Sequence, residues 1–255
     1  MQQFKMLTTL LTVASALGFI YLAAHYNFWR PRVSKIHPRV LMYHSINDDI
    51  GQNHPDLVVT PANFRAQLQY LKKRGYQFLT MSELIETEND FSPRIALTFD
   101  DGFQDNYTKM LPILKEFGAK ATIFLCANMP NIEKLTEDQI EEMQDSGLIE
   151  FGAHTMTHIN LSQVSQLEAQ NEIIESKAYV EKLTSLPCLS FAYPFGRLND
   201  QVAEIVEKAG FQSAVVVKKG IEAIGDRYRI KRLSILRKTN LLQFHIAMTR
   251  GRYRV

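Results

Sequence analysis

Cysteine is nearly absent. The chain of 255 residues has two, Cys126 and Cys188, too few for the disulfide framework that holds small secreted domains together. Cys126 lies in the apolar run ATIFLCA, the setting of a buried, inert thiol. Internal repeats and low-complexity tracts are missing too, which excludes solenoids and long disordered arms. So is a strong excess of one charge: the net charge is +2, and no basic motif interleaved with aromatics points to nucleic acid. Long hydrophobic runs are missing with one exception, near the N-terminus. What remains, 45% hydrophobic and 22% charged residues, is the composition of an ordinary globular core with a solvated surface.

The exception is MLTTLLTVASALGFIYLAA, Met6 to Ala24, preceded by Lys5. Its length just crosses a bilayer core of about 30 Å. A cleaved signal peptide competes, because Ala14-Ser15-Ala16 resembles a small-x-small cleavage site. The apolar run continues past that site, through Leu17, Phe19, Ile20 and Leu22, which favours an uncleaved anchor. Tyr21, Tyr26, Phe28 and Trp29 suit an interfacial aromatic belt. The chain then divides into an anchor or signal segment over 1–29, a juxtamembrane linker over 30–38 and a globular domain over 39–255. Charge is uneven within that domain. From Ser213 onward eleven Lys and Arg, Arg232 and Arg254 among them, face two acids, Glu222 and Asp226. Such a segment is either a solvated face or a surface for anionic lipid or an anionic saccharide.

Along 39–255, short apolar runs alternate with amphipathic segments. RVLMYH, QFLT, IALTF, KATIFLC, LIEFGAH, CLSFAYP and SAVVV read as strands. TPANFRAQLQYLKKRG, SELIE, NYTKMLPILKEFG, TEDQIEEMQDSG, SQLEAQNEIIESKAYVEKLT and NDQVAEIVEKAG read as helices, with Thr60, Thr136 and Ser165 as caps. Strands alternating with helices pair in parallel. About seven such units predict an α/β fold, a closed or nearly closed β/α barrel, with an open doubly wound sheet as the alternative.

Function in such folds gathers at the C-terminal ends of strands. There stand His44 after RVLMY, Asp100-Asp101 after IALTF, His154 after LIEFGA, and Tyr193-Pro194-Phe195-Gly196 after CLSFA. Adjacent carboxylates repel and resist burial unless a cation sits beside them. HTMTH supplies His154 and His158, and with Asp101 these make two imidazoles and one carboxylate, a set that suits Zn²⁺ or another first-row divalent ion with positions left open. A cation at Asp101 leaves Asp100 to act as a base.

TFDDG, HTMTH and FAYPFG, in this order, resemble the polysaccharide deacetylases of carbohydrate esterase family 4, the NodB-homology domain, over roughly Arg39 to Arg237. The resemblance implies a distorted β/α barrel that removes N-acetyl, sometimes O-acetyl, groups from sugars and releases acetate. It implies Asp100 as catalytic base and Asp101, His154 and His158 as ligands of the metal, Zn²⁺ with Co²⁺, Ni²⁺ or Fe²⁺ as alternatives. It places the Phe195 N–H in the oxyanion hole, with Tyr193 and Pro194 beside it at the substrate. Two departures stand out. The Arg that orients the base in the family is replaced by Ala192, and Arg232 in YRIKRLSIL is the candidate substitute. The family's late Leu-x-His, source of the general acid, is missing; His245 lies in a helix-like apolar run and reads as a packing residue. VLMYHSI instead resembles the opening of the circularly permuted subgroup acting on poly-β-1,6-N-acetylglucosamine, which makes His44 the acid.

The expected partner is an acetylated amino-sugar polysaccharide or a lipid-linked saccharide. The expected location is a bacterial inner membrane with the catalytic domain in the periplasm. The cations of the 30–39 flank, Arg30, Arg32, Lys35 and Arg39, favour the opposite, cytoplasmic orientation. Rival readings are an O-acetyl esterase, a catalytically inactive carbohydrate-binding relative, and a non-haem iron oxygenase. The oxygenase fits poorly, since it would bring a jelly-roll pattern of strands rather than β/α alternation.

Overall fold

The computed structural model describes residues 2–25, 28–51, 54–87 and 90–252. Tyr26 of the aromatic flank, Arg254 of the basic segment and the end of the 39–255 domain lie outside them. The chain runs α1 (Gln2–His25), β1 (Arg39–Tyr43), β2 (Ser45–Ile46), β3 (Val58–Val59), α2 (Pro61–Lys73), β4 (Gln77–Leu79), α3 (Met81–Glu86) and β5 (Arg94–Asp101). It continues through α4 (Leu111–Phe117), β6 (Ala121–Leu125), α5 (Glu137–Asp145), β7 (Ile149–Ala153), α6 (Gln166–Thr184) and β8 (Ser190–Ala192). It ends with α7 (Asp200–Lys208), β9 (Ser213–Val216), β10 (Ile230–Lys231), β11 (Leu233–Ser234) and α8 (Leu241–Arg250).

The main sheet has the order β10-β9-β8-β7-β6-β5-β1-β11, with β4 added beside β5. Its pairs are parallel, as the β/α alternation requires. Its two ends are one stretch of chain, since only Arg232 separates β10 from β11. Ile230-Lys231 pair with Val215-Val216, and Leu233-Ser234 pair with Leu41-Met42. The sheet thereby returns on itself as a distorted barrel. The alternation of strand side chains sorts its residues. Leu41, Tyr43, Leu97, Phe99, Ile123 and Leu125 face outward into the core shared with the helices. Val40, Ala96, Phe124, Ala192, Val215 and Ile230 face inward, where Met81, Leu84 and Ile85 of α3 pack among them. On β7, Gly152 is required: a Cβ there would lie 2.6 Å from the Phe124 ring and from Ser190 Oγ.

One predicted helix is two pieces. NYTKMLPILKEFG winds as a π-turn over Asn106–Met110 and becomes α-helical at Leu111. Pro112 has no N–H to give to the turn before it, and the Leu111 N–H reaches back to Asn106 O instead. Gly118 ends α4 in the left-handed conformation. Thr136 and Gln139 form a reciprocal capping box on α5, and Ser165 caps α6 through the Glu168 N–H. Helix α1 is long and apolar enough to cross a membrane over Phe4–Ala24, and none of that stretch is buried against the barrel.

Candidate active site

Strand alternation would send Asp100 and Asp101 to opposite faces of β5. Asp100 keeps the inward parity of Ala96 and Thr98. Asp101 and Gly102 both take φ of +76°, which ends the alternation and lets both carboxylates serve the inner rim. A side chain at Gly102 would meet Leu125 at 2.8 Å, so glycine is needed there.

Arg232, at the break between β10 and β11, is fully buried. Its fork donates to both oxygens of Asp100, Nη1 to Oδ1 at 2.6 Å and Nη2 to Oδ2 at 2.8 Å. Nη1 also reaches Thr98 Oγ1 and Nε reaches Val216 O. Burial alone would raise the Asp100 carboxyl, but the Arg232 charge, aided by His154, holds it well below the usual carboxylate range. Asp100 is therefore ionised at any working pH and fixed in one orientation.

Asp101 is the opposite case. Burial, with the Asp100 charge added, pushes it up to about 8. Its Oδ1 is buried without a hydrogen-bond partner, and the Nε2 atoms of His154 and His158 each lie 3.6 Å from that oxygen. The three donor atoms fall within 4.8 Å of one another. His154 Nδ1 is 2.7 Å from Ala192 O; it donates there, which leaves the Nε2 lone pair facing the cluster. Burial lowers His154 to about 4 and lowers His158 as well, so both imidazoles are neutral at pH 7. Two neutral nitrogens and a carboxylate that lacks a cation form a set that can hold a divalent metal ion.

The HTMTH segment is a turn rather than a helix. Thr155 and His158 take positive φ, +64° and +55°, and His158 N–H donates to Thr155 Oγ1 at 3.0 Å. Glu172 of α6 holds the turn from outside, accepting from the N–H groups of Met156 and Thr157 and from Thr157 Oγ1. Facing it, Phe195 takes φ of +57° within the turn after β8. The hydrogen bonds of that turn run from Gly196 and Arg197 N–H to Tyr193 and Pro194 O and leave the Phe195 N–H outside them. The Phe195 ring lies 4.6 Å from that of His158. Pro194 is buried beneath this turn. Tyr193 has a different setting: its ring is buried edge-on to Phe191 in the outer core, so packing is what its side chain contributes.

His44 keeps the inward parity of Val40 and Met42 and is partly exposed at the rim. Burial lowers it to about 4, with the Asp100 charge opposing that shift and the Arg232 charge adding to it. Its carbonyl accepts from Asn106 Nδ2 at 2.9 Å, while Asp105 accepts from Ser45 Oγ and the Ile46 N–H. These bonds tie the two strand-end loops together. His245 lies on α8, hydrogen-bonded to Tyr70. Sequence reasoning missed Thr98, Asp105, Asn106 and Glu172. The polar run DGFQDN directly after β5 was the available signal for two of them. Glu172, on a helix far along the chain, gave none.

A family model for polysaccharide deacetylases matches residues 88–214. A Bacillus subtilis protein, YxkH, is 34% identical over 186 residues, which cover 71% of this chain and 64% of that protein, just under two thirds of its length. The poly-β-1,6-N-acetyl-D-glucosamine N-deacetylase of Staphylococcus epidermidis is 31% identical over 195 residues, covering 69% of this chain and 68% of that protein. Among solved structures, the Streptococcus pyogenes deacetylase PplD in complex with acetate superposes with a TM-score of 0.75 at 30% identity, over 84% of this chain and 98% of that one. The chain belongs to the polysaccharide deacetylase family.

Proposed function

We propose that the protein is a metal-dependent hydrolase that removes N-acetyl groups from an amino-sugar polysaccharide and releases acetate. The observation that carries this is the division of labour between adjacent carboxylates. Asp100 is locked as an anion by Arg232, while the partnerless Asp101 Oδ1 stands between two neutral imidazole nitrogens. Asp101, His154 and His158 would hold the metal, Zn²⁺ by the chemistry of the donors. A divalent ion there supplies the Lewis acidity for attack of water on an amide at neutral pH.

The chain's own groups do the rest. Asp100 accepts a proton from the attacking water. The Phe195 N–H donates to the oxyanion as the carbonyl carbon becomes tetrahedral. His44 carries a proton to the leaving nitrogen. His44 is neutral before the reaction, since burial lowers it to about 4. The proton that Asp100 takes from water is the one His44 relays to the leaving nitrogen, so water loses one proton, the amine gains it, and both side chains end as they began. Pro194 shapes the floor under the acetyl group, and Tyr193 backs the turn from the core.

The S. epidermidis relative makes poly-β-1,6-N-acetylglucosamine the first substrate to test. We read α1 as an uncleaved anchor with the barrel on the periplasmic side of a bacterial inner membrane, where such a polymer is met. An expressed but inactive C-terminal alkaline-phosphatase fusion would place the barrel in the cytoplasm instead. With β-1,6-linked N-acetylglucosamine oligomers, acetate and free amine should appear together in equal amounts. Acetate from O-acetylated sugars alone would make the protein an esterase, and binding without acetate would make it an inactive relative.

A further inference from the structure

The 30–38 linker is a clamped segment of the barrel and not a loose tether. Arg39, buried at the start of β1, donates from Nε to Met248 O at 3.2 Å and from its two terminal nitrogens to Val33 O, Ser34 O and His37 O. The Val33 N–H donates to Thr249 O at 2.8 Å, and Arg250 donates to Arg30 O. All of these contacts sit at the C-terminal end of α8 and the N-terminal end of β1. That is the end of the barrel opposite the catalytic rim.

The same end carries apolar side chains that a soluble surface would hide. Trp29 is 67% exposed, Ile36 42% and Phe91 75%. Ile36 and Phe91 precede the paired strands β1 and β5, and line one groove of about 360 Å³ with His37, Pro38 and Arg94. Exposed Arg32 and Lys35 flank them. Aromatic and aliphatic side chains among cations are what a bilayer interface with anionic headgroups takes. The occupant follows from chain continuity, because α1, the one membrane-length helix among the described residues, leads directly into this face.

We propose that the base of the barrel, around Trp29, Ile36 and Phe91, docks on the membrane that holds α1, with the catalytic rim facing away from it. The inference rests on reading α1 as an anchor. Arg94 and Asp101 mark the two ends of β5; at a rise of about 3.3 Å per residue, reduced by barrel tilt, the metal ligands stand roughly 20 Å from the base. A headgroup layer is only about 5–8 Å deep. The sugars next to a lipid of the same leaflet cannot reach the rim, whereas residues several sugars along a glycan chain can. The basic segment after Ser213 fits this picture, since several of its cations are already engaged away from lipid: Arg232 with Asp100, Arg229 with Asp226 and Asp200, and Lys231 with Glu222.

Full-length Phe91→Cys and Glu133→Cys proteins, labelled with a fluorophore and reconstituted in vesicles of phosphatidylethanolamine and phosphatidylglycerol, test it. Cys126 and Cys188 are buried and will not take the label. Glu133 is exposed on the rim side. With headgroup nitroxide lipid, the label at position 91 should be quenched several-fold more than that at 133. Quenching at 133 equal to or above that at 91, in protein that resists carbonate extraction, overturns the docking face alone. Extraction of the unlabelled full-length protein by carbonate overturns the anchor reading and the docking face with it.

Discussion

Two carboxylates share one sequence motif and have opposite electrostatics. Asp100 is stabilised as an anion by a two-pronged Arg232, a buried pair that is costly to break from one side only. Asp101 is destabilised as an anion and held up to about 8. The consequence for the metal-free protein has a definite sign. An unfolded aspartate titrates near about 3.9. Between there and about 8 the folded protein keeps a proton on Asp101 that the unfolded chain has lost, so this group's contribution to stability falls as pH rises through that window. A bound cation removes the effect. Melting curves of chelator-treated and metal-loaded protein should therefore lie closer together near about pH 5 and separate toward about pH 8. A gap that is constant or narrows with pH would contradict the assignment of Asp101. The pairing of Arg232 with Asp100 was foreshadowed by the missing family arginine at Ala192. The closeness of the pair was not, because it depends on a single residue turning inward between two short strands.

Among the elements, the turns carry the site, and their geometry is what the sequence shows least. Strand ends were legible from apolar runs, and they located His44, Asp100, Asp101, His154 and Phe195 on one rim. The positive φ values at Asp101, Thr155, His158 and Phe195 were not legible, since none of these residues is glycine and each is held there by its surroundings. Gly196 shows the constraint most sharply. It has φ of +65°, and a Cβ would sit 2.4 Å from the Val217 backbone nitrogen. Gly196→Ala should displace the turn that presents the Phe195 N–H. The expected result is a fall in kcat of about 10²–10³, the typical cost of one oxyanion donor, with metal content unchanged. An unaltered kcat would remove Phe195 from the mechanism. The π-turn before α4 is another feature the helical pattern concealed, since Pro112 is a common first-turn residue and gives no hint of a change in register.

At the scale of the molecule, the alternation of strand and helix periods showed a parallel α/β sheet and left a barrel and an open sheet both standing. The sheet's closure was hidden in YRIKRLSIL, which is too short on either side of Arg232 to show a period of its own. The same closure joins fold and chemistry, since the residue that interrupts the last strand is the one that holds Asp100. In the proposed mechanism Asp101 is a ligand and Asp100 a base, although they are neighbours of identical type. Elemental analysis of purified Asp100→Asn and Asp101→Asn, set beside wild type, tests that division directly. Asp100→Asn should keep about one divalent ion per chain while its turnover falls by about 10²–10⁴, and Asp101→Asn should lose the ion. Metal lost from Asp100→Asn, or retained in full by Asp101→Asn, would contradict the account.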